Sequence, residues 1–300
     1  MTLTSTLNGT LVVIPTLSAS RLENVKMLIR TFESKGAEVI VVANGSTIFN
    51  ALRDADLPVV SSARNLGFGA AVNLAAPISK KFTWLMIVND DIEISDTETF
   101  GAFESLNRDP GCRMITFGDE PFLPIPDKRE VFINLSLLSG IRRKVTGRRR
   151  MGADYAPRGK YYFPFSIVAI SWQLWEAAGG LDERFPFTYE DADFTRRALD
   201  IGALQVQIQS DGISHLRSQT GRSQVATVLP VGAWSGYEYL KKWSGRRTLS
   251  AVICIAGLVF RFTLLPFSKA GLCNHMRGTI KAISAIARNE PPALPDYDTF

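Results

Sequence analysis

Cysteine is scarce in this chain. Cys112, Cys254 and Cys273 are odd in number, widely spaced and in no metal-ligand pattern, which excludes a disulfide framework and a zinc site and suits a reducing cytosol. The opening residues, MTLTSTLNGTLVVIPT, lack a positively charged n-region and hold an apolar run of strand length only, so no secretory signal is expected. Acidic residues are nearly missing from one stretch. Residues 241–290 carry nine basic side chains against Glu290 alone, a local charge of +8, while the other 250 residues sum to −3. The basicity therefore belongs to the C-terminal end and needs a local explanation. No nucleic-acid-binding module accompanies it, so nucleic acid is not an expected partner. With 46% hydrophobic and 21% charged residues over 300 positions, the chain is an ordinary globular one, long enough for one large domain or two small ones.

What is present is an alternation of strand-like and helix-like segments. TLVVI (10–14) is a β-branched run ending at Pro15. Ser20 and Glu23 then read as a capping box for a helix with Leu22, Val25, Leu28, Ile29 and Phe32 at helical spacing and Gly36 as its stop. EVIVVA (38–43), LPVV (57–60) and TWLMIV (83–88) read as further buried strands, and GAAVNLAA (69–76) as a helix. Such alternation implies right-handed crossovers and a largely parallel sheet. In open α/β sheets ligands bind beyond the carboxyl ends of the strands. Polar clusters follow each strand here: Pro15-Thr16, Asn44-Gly45-Ser46, Ser61 to Asn65, and Asn89-Asp90-Asp91. Each is also ordinary turn chemistry. The last stands out because two adjacent carboxylates, with Glu93 close by, follow a buried strand, where their repulsion is costly unless a cation is held.

A second constellation lies downstream. An apolar strand (165–171) leads through a short helix to Gly179-Gly180, and Glu190, Asp191 and Asp193 open a helix that stops at Gly202. Acids in a first helical turn are also favoured by the macrodipole alone. ALQVQIQ (203–209) alternates as a strand does, and SDGISH puts His215 at another strand edge. A lone histidine is usually structural; His215 becomes a ligand only if it meets Asp91 in space. NLGFGAA is not a dinucleotide fingerprint, since it follows the third strand and lacks the third glycine.

Taken in order, VVIPT, VIVVANGS, RNLGFGAAVN, WLMIVNDDIEIS, AAGGLDERFPFTYEDADFTRR and GISH resemble the family 2 inverting glycosyltransferases of GT-A fold, in particular their bacterial rhamnosyltransferase-like branch, over about residues 10–220. The resemblance implies an α/β fold of GT-A type, Rossmann-like with a mostly parallel central sheet, in residues 1–225, followed by a helical, basic region (226–290) and a disordered tail (291–300). It implies a nucleotide-diphosphate sugar donor (dTDP-rhamnose first, or a UDP-sugar), Mg²⁺ or Mn²⁺, and transfer with inversion to a hydroxyl of a glycan or polyprenyl-diphosphate-linked acceptor, in the synthesis of a surface polysaccharide or glycolipid. By the same resemblance Pro15, Thr16, Asn44 and Ser46 approach the base and ribose, and Arg64, Asn65, Gly67, Gly69 and Asn73 lie under the nucleotide and sugar. Asn89 and Asp90 belong to the donor site, Asp91 and His215 hold the metal, and Asp191 with Glu190 beside it supplies the catalytic base. Trp172, Gly180 and Asp193 are assigned to the acceptor. Carboxylate suits a hard divalent cation that neutralises a departing diphosphate, and a histidine in the set is better tolerated by Mn²⁺ than by Mg²⁺. Two positions depart from the family pattern: Ala43 stands where many relatives have a base-contacting Asp, and Asn89 replaces the first Asp of the metal motif. Since Asp91 and Asp191 remain, an active enzyme is expected; the rival is a catalytically silent nucleotide-sugar-binding or membrane scaffold protein.

Two basic features remain. IRRKVTGRRR (141–150) reads either as a solvated surface segment or as a flap gripping anionic groups, arginine being suited to phosphate. LSAVICIAGLVFRFTLLPF (249–267) runs nineteen residues with Arg261 as the one charge, long enough to span a bilayer. Arg261, Gly257 and Pro266 argue against spanning. The expectation is a helical appendage lying on the anionic inner face of the plasma membrane, making the protein cytoplasmic and peripheral, with an apolar helix packed on the catalytic domain as the alternative.

Overall fold

A computed structural model describes residues 6–107, 111–139, 161–216, 224–265 and 271–295; the whole arginine-rich segment 141–150 and the last five residues lie outside it. Residues rich in β-branched and apolar side chains form β1 Thr10–Thr16, β2 Glu38–Asn44, β3 Val59–Ser62, β4 Trp84–Val88, β5 Ile92–Ile94, β6 Arg113–Phe117, β7 Leu123–Pro124, β8 Tyr161–Tyr162, β9 Ile167–Ser171, β10 Leu204–Ile208 and β11 Ile213–His215. The helices between them are α1 Leu22–Glu33, α2 Ser46–Asp54, α3 Phe68–Ala75, α4 Thr99–Asn107, α5 Lys128–Leu135, α6 Trp172–Ala178 and α7 Glu190–Asp200. Three long helices follow: α8 Val225–Ser244, α9 Arg247–Leu264 and α10 Leu272–Arg288.

Seven strands form the central sheet in the order β10-β6-β9-β4-β1-β2-β3. β3, β2, β1 and β4 are mutually parallel, as are β6 and β10, and β9 is antiparallel to both its neighbours β4 and β6. The protein is thus a mixed α/β fold with a mostly parallel sheet and a helical C-terminal region. Because successive strand residues point to opposite faces, the sheet builds two cores. Val12, Ile14, Trp84, Met86 and Val88 pack against α1 and α4 on one face, while Leu11, Val13, Leu85, Ile87 and Ile170 pack against α3, α6 and α7 on the other. A third cluster joins α5 to α8, α9 and α10 through Val131, Tyr237, Cys254, Leu258, Ala282 and Ile286.

The capping box expected at Ser20 and Glu23 does not form. The Ser18 side chain accepts from the Ser20 N–H to start a 3₁₀ turn over residues 19–21, α1 continues from it, and Glu23 pairs with Lys26 at 2.8 Å instead. Gly36, at φ +87°, does sit in the left-handed turn after the helix.

Candidate active site

The carboxyl ends of the parallel strands form one edge, and β9, running the other way, contributes its beginning rather than its end. Asn89, Asp90 and Asp91 leave β4 at this edge, and the Asn89 N–H donates to the Ser166 carbonyl at the start of β9 at 2.9 Å. The chain then turns back as β5, which pairs with β11 so that His215 sits opposite Ile92. That two-stranded ribbon is what brings His215 to Asp91: its Nε2 lies 2.9 Å from Asp91 Oδ1, and the Leu216 N–H donates to the Asp91 carbonyl at 3.0 Å.

On its other side His215 meets a residue that the sequence pattern did not single out. Its Nδ1 lies 2.9 Å from Glu120 Oε1, and Ser166 Oγ donates to Glu120 Oε2 at 2.6 Å. Ser166 Oγ is itself 3.2 Å from Nδ1. Burial disfavours the imidazolium, but hydrogen bonds and charge from Asp91 and Glu120 overcome it and raise the His215 pKa to about 9. Glu120 follows β6 in the sequence FGDE, so the rule that a polar cluster follows each strand also covers it; the strand itself, RMITF, is short and opens on a charge. Phe117 to Glu120, Ser166 and His215 line a cleft at this edge.

Asp90 faces a different strand. It accepts from Thr16 Oγ1 at 2.6 Å, while Asn24 on α1 donates to the Asp90 and Ile92 carbonyls at 2.7 and 2.9 Å. Burial raises the Asp90 pKa to about 6, against the lowering effect of the Thr16 hydroxyl. Thr16 and Pro15 are buried at the end of β1, and Asn89 Oδ1 is buried without a hydrogen-bond partner among the described residues.

The segment 44–73 is organised by its own amides. Asn44, 2% exposed, donates to Asn65 Oδ1 and the Gly67 carbonyl at 3.2 Å each and accepts from the Leu66 N–H at 2.7 Å. Its amide is thereby committed to shaping the Asn65-Leu66-Gly67 turn. Gly67, at φ +87°, allows that turn to touch the downstream acidic segment: an added Cβ would stand 2.6 Å from the Pro186 carbonyl. Gly69 likewise lets α3 approach Leu181 and Glu190. Asn73 closes the same contact, donating to the Leu181 carbonyl at 2.8 Å and accepting from its N–H at 3.1 Å. Ser46 and Arg64 are exposed near this turn, and Asn65 Nδ2 donates to the Pro295 carbonyl at 2.9 Å.

The acidic helix α7 starts from a strained turn. Thr188 and Tyr189, neither of them glycine, have φ of +67° and +72°, each costing about 1–3 kcal/mol. The C-terminal helix α8 holds that turn in place. Gly236 leaves room for the Tyr189 ring, where an added Cβ would come within 3.3 Å of it, and Tyr189 stacks on Tyr239 with centroids 5.4 Å apart. Asp191 Oδ1 accepts from the Ala192 N–H at 2.7 Å, and the Phe165 backbone lies near enough to favour its charged form. Burial raises the Asp191 pKa to about 7, the backbone bonds opposing it and the Glu120 charge adding to it. Burial and the neighbouring Asp191 push Glu190 well above the usual carboxylate range. Asp91, His215, Glu120 and Ser166 thus form one bonded cluster, and Asp191 feels the charge of Glu120.

Two expected acceptor residues lie elsewhere. Asp193 is fully buried, 2.8 Å from Arg197 Nε, 2.6 Å from Lys242 Nζ and 3.0 Å from Trp243 Nε1, so it fastens α7 to α8 instead of facing the cleft. Trp172 follows the end of the antiparallel β9, and its N–H donates to the Thr83 carbonyl, just before β4 begins; it stands at the sheet edge opposite Asp91. Gly180, at φ +69°, packs against Asn73 and Trp175, and its carbonyl accepts from Arg197 at 2.8 Å.

As a cation site the edge offers one carboxylate oxygen and one imidazole nitrogen, with Glu120 orienting the ring. Among the described residues no group of three or more His, Cys, Asp or Glu side chains is arranged to hold a metal by itself. Two donors fit a cation that shares its coordination with a bound diphosphate and water, as Mg²⁺ commonly does, and not a closed structural site.

No protein-family profile matches the chain. No curated protein matches it. Among solved structures it is similar to Staphylococcus aureus TarS 1–349 at 12% identity, over 94% of this chain and 92% of that one with a TM-score of 0.45. It is also similar to GalNAc-T7 crystallised with UDP, GalNAc and Mn²⁺ (14% identity, 79% and 50% of the two chains, TM-score 0.46). A third is glucosyl-3-phosphoglycerate synthase from Mycobacterium tuberculosis with phosphoglyceric acid (17% identity, 74% and 78%, TM-score 0.44). Likeness at this level does not assign an activity.

Proposed function

We propose that the protein is an inverting glycosyltransferase that moves a sugar from a nucleotide-diphosphate donor to an acceptor hydroxyl with the help of a divalent metal. The observation that carries this reading is the meeting of Asp91, His215 and Glu120 at the carboxyl edge of the sheet, with the Glu120 charge reaching Asp191. Asp91 and His215 are the residues to hold Mg²⁺ or Mn²⁺, whose chemistry is to neutralise the charge of a departing diphosphate. A proton or a cation between Asp91 and Nε2 answers the same electrostatic need, and Glu120 keeps the ring turned toward it. Asp191, poised near neutrality, is suited to take the proton of the attacking hydroxyl, a contribution of ~10²–10⁴-fold. Thr16 and Asn24 fix the strand end that presents Asp91, and Asn44, Asn65 and Asn73 seat the loop facing the acidic segment. Rhamnose is the donor sugar favoured, dTDP-rhamnose before a UDP-sugar, with a glycan or polyprenyl-diphosphate-linked hydroxyl as acceptor.

The test is a panel of dTDP- and UDP-sugars with Mn²⁺, with Mg²⁺ and with EDTA, scoring nucleoside diphosphate release. Turnover of one donor that EDTA and Asp91→Ala both abolish is expected. Nucleotide-sugar binding without turnover across the panel points to the silent scaffold, and full metal-dependent turnover in Asp91→Ala overturns the metal assignment.

A further inference from the structure

The C-terminal helices leave an apolar surface bare. Val252, Val259 and Phe260 on α9 and Leu272, Met276 and Ile280 on α10 are all exposed, and they account for nearly half of the large hydrophobic side chains exposed among the described residues. Their spacing is regular: 252 and 259 are two turns apart, and 272, 276 and 280 repeat every four residues, so each helix presents a stripe. Exposed cations border the stripes, with Arg246 and Arg247 at the start of α9 and Arg277, Lys281 and Arg288 along α10. The only carboxylate in residues 241–290 is Glu290.

From this combination we infer that α9 and α10 form a docking surface for the face of an anionic lipid bilayer. Apolar side chains in a stripe enter the boundary between headgroup and acyl chain, and bordering cations meet anionic headgroups at ~1 kcal/mol each. A second copy of the chain is the poorer occupant, because a self-complementary contact would set this cationic surface against itself.

The helix lies along the surface and does not cross it. By length and hydropathy α9 is sufficient to span. Its inner face, however, belongs to the protein: Ser250, Cys254, Gly257, Leu258 and Arg261 are buried, and an added Cβ on Gly257 would stand 3.2 Å from the Phe132 carbonyl and Leu135. Arg261 points inward too, donating to the Leu135 carbonyl at 3.2 Å with Nη2 3.0 Å from His275 Nδ1. Spanning would strip these contacts from α5 and α10. Because α8 both packs on α9 and α10 and clamps the turn bearing Asp191, docking would hold the cleft at a fixed height above the lipid. The link to a lipid-borne acceptor rests on the transfer reaction proposed above; the docking itself does not.

The experiment is co-sedimentation of the full chain with vesicles of phosphatidylcholine alone and of phosphatidylcholine with phosphatidylglycerol. Binding to the anionic vesicles only, reversed by high salt and by carbonate, is expected. Arg277→Gln and Lys281→Gln should each weaken it about five-fold, the equivalent of ~1 kcal/mol per cation. Ile280→Asp should abolish it while far-ultraviolet circular dichroism and donor turnover stay at wild-type levels, which separates failure of docking from failure of the catalytic reading. Equal binding to both vesicle types, resistance to carbonate, or a dimer in light scattering that Ile280→Asp dissolves would each overturn the proposal.

Discussion

Asp90 and Asp91, at the end of a strand, are bound by side chains from other strands: a hydroxyl from β1 for one, an imidazole from β11 for the other. Glu190, Asp191 and Asp193, in the first turn of α7, share one helix end and yet part ways. Asp193 is locked to Arg197, Lys242 and Trp243, whereas Glu190 and Asp191 have no ion pair among the described residues and are driven up by burial. Similar acidic stretches thus yield a carboxylate–imidazole pair at one place and a structural clamp beside two carboxyls raised by burial at the other. The partner, and not the carboxylate, decides the role.

The sharpest break of this comparison is Asp191→Asn. The amide keeps the shape and removes the proton acceptor, so transfer should fall by ~10²–10⁴-fold with donor binding and thermal stability nearly unchanged. Wild-type kcat/KM should also report the burial of Asp191. Its pKa is raised to about 7, so the base form is lost as pH falls through that value, and activity should rise across neutrality and then level. A rising limb near pH 4 would show an ordinary solvated carboxylate and would sink the assignment.

Asp193→Ala should strike stability instead. It leaves Lys242 and Arg197 without their buried partner, at a cost of about 3–5 kcal/mol when such a pair is broken. The lower end is expected, because the two cations keep 18% and 20% of their side-chain surface open to water and Lys242 retains Asp182 at 2.7 Å. Urea unfolding measures it, and Trp243→Phe, which removes one hydrogen bond to Asp193, should lose only about 1 kcal/mol. A midpoint unchanged in Asp193→Ala would mean that α7 is not fastened to α8 in this way.

The contrast also marks what the sequence could reveal. β1, β2 and β4 announce themselves as unbroken apolar runs, and the polar residues after them fall where a parallel sheet puts its crevice. β6 does not, because Arg113 and Thr116 interrupt so short a strand, and Glu120 was overlooked with it. The direction of β9 is set by pairing with β4 and β6, which no local pattern encodes, so the edge at which Trp172 stands is not legible in the sequence. Asp193 looked like its neighbours because its partners lie up to fifty residues away on a helix whose docking depends on Gly236 and on a left-handed turn at Thr188-Tyr189 that lacks the usual glycine.

The smallest effect is the most discriminating for the pair at the helix start. Glu190 is buried, its Oε2 has no hydrogen-bond partner among the described residues, and burial with the neighbouring Asp191 pushes its pKa well above the usual carboxylate range. Gln is isosteric with the neutral acid. If the pair's proton rests on Glu190, Glu190→Gln should leave the activity limb near pH 7 where it stands and change stability little. Were Glu190 ionised, the same substitution would delete a negative charge next to Asp191 and slide the limb to lower pH. Such a slide would place the proton on Asp191 and pass the role of base to Glu190.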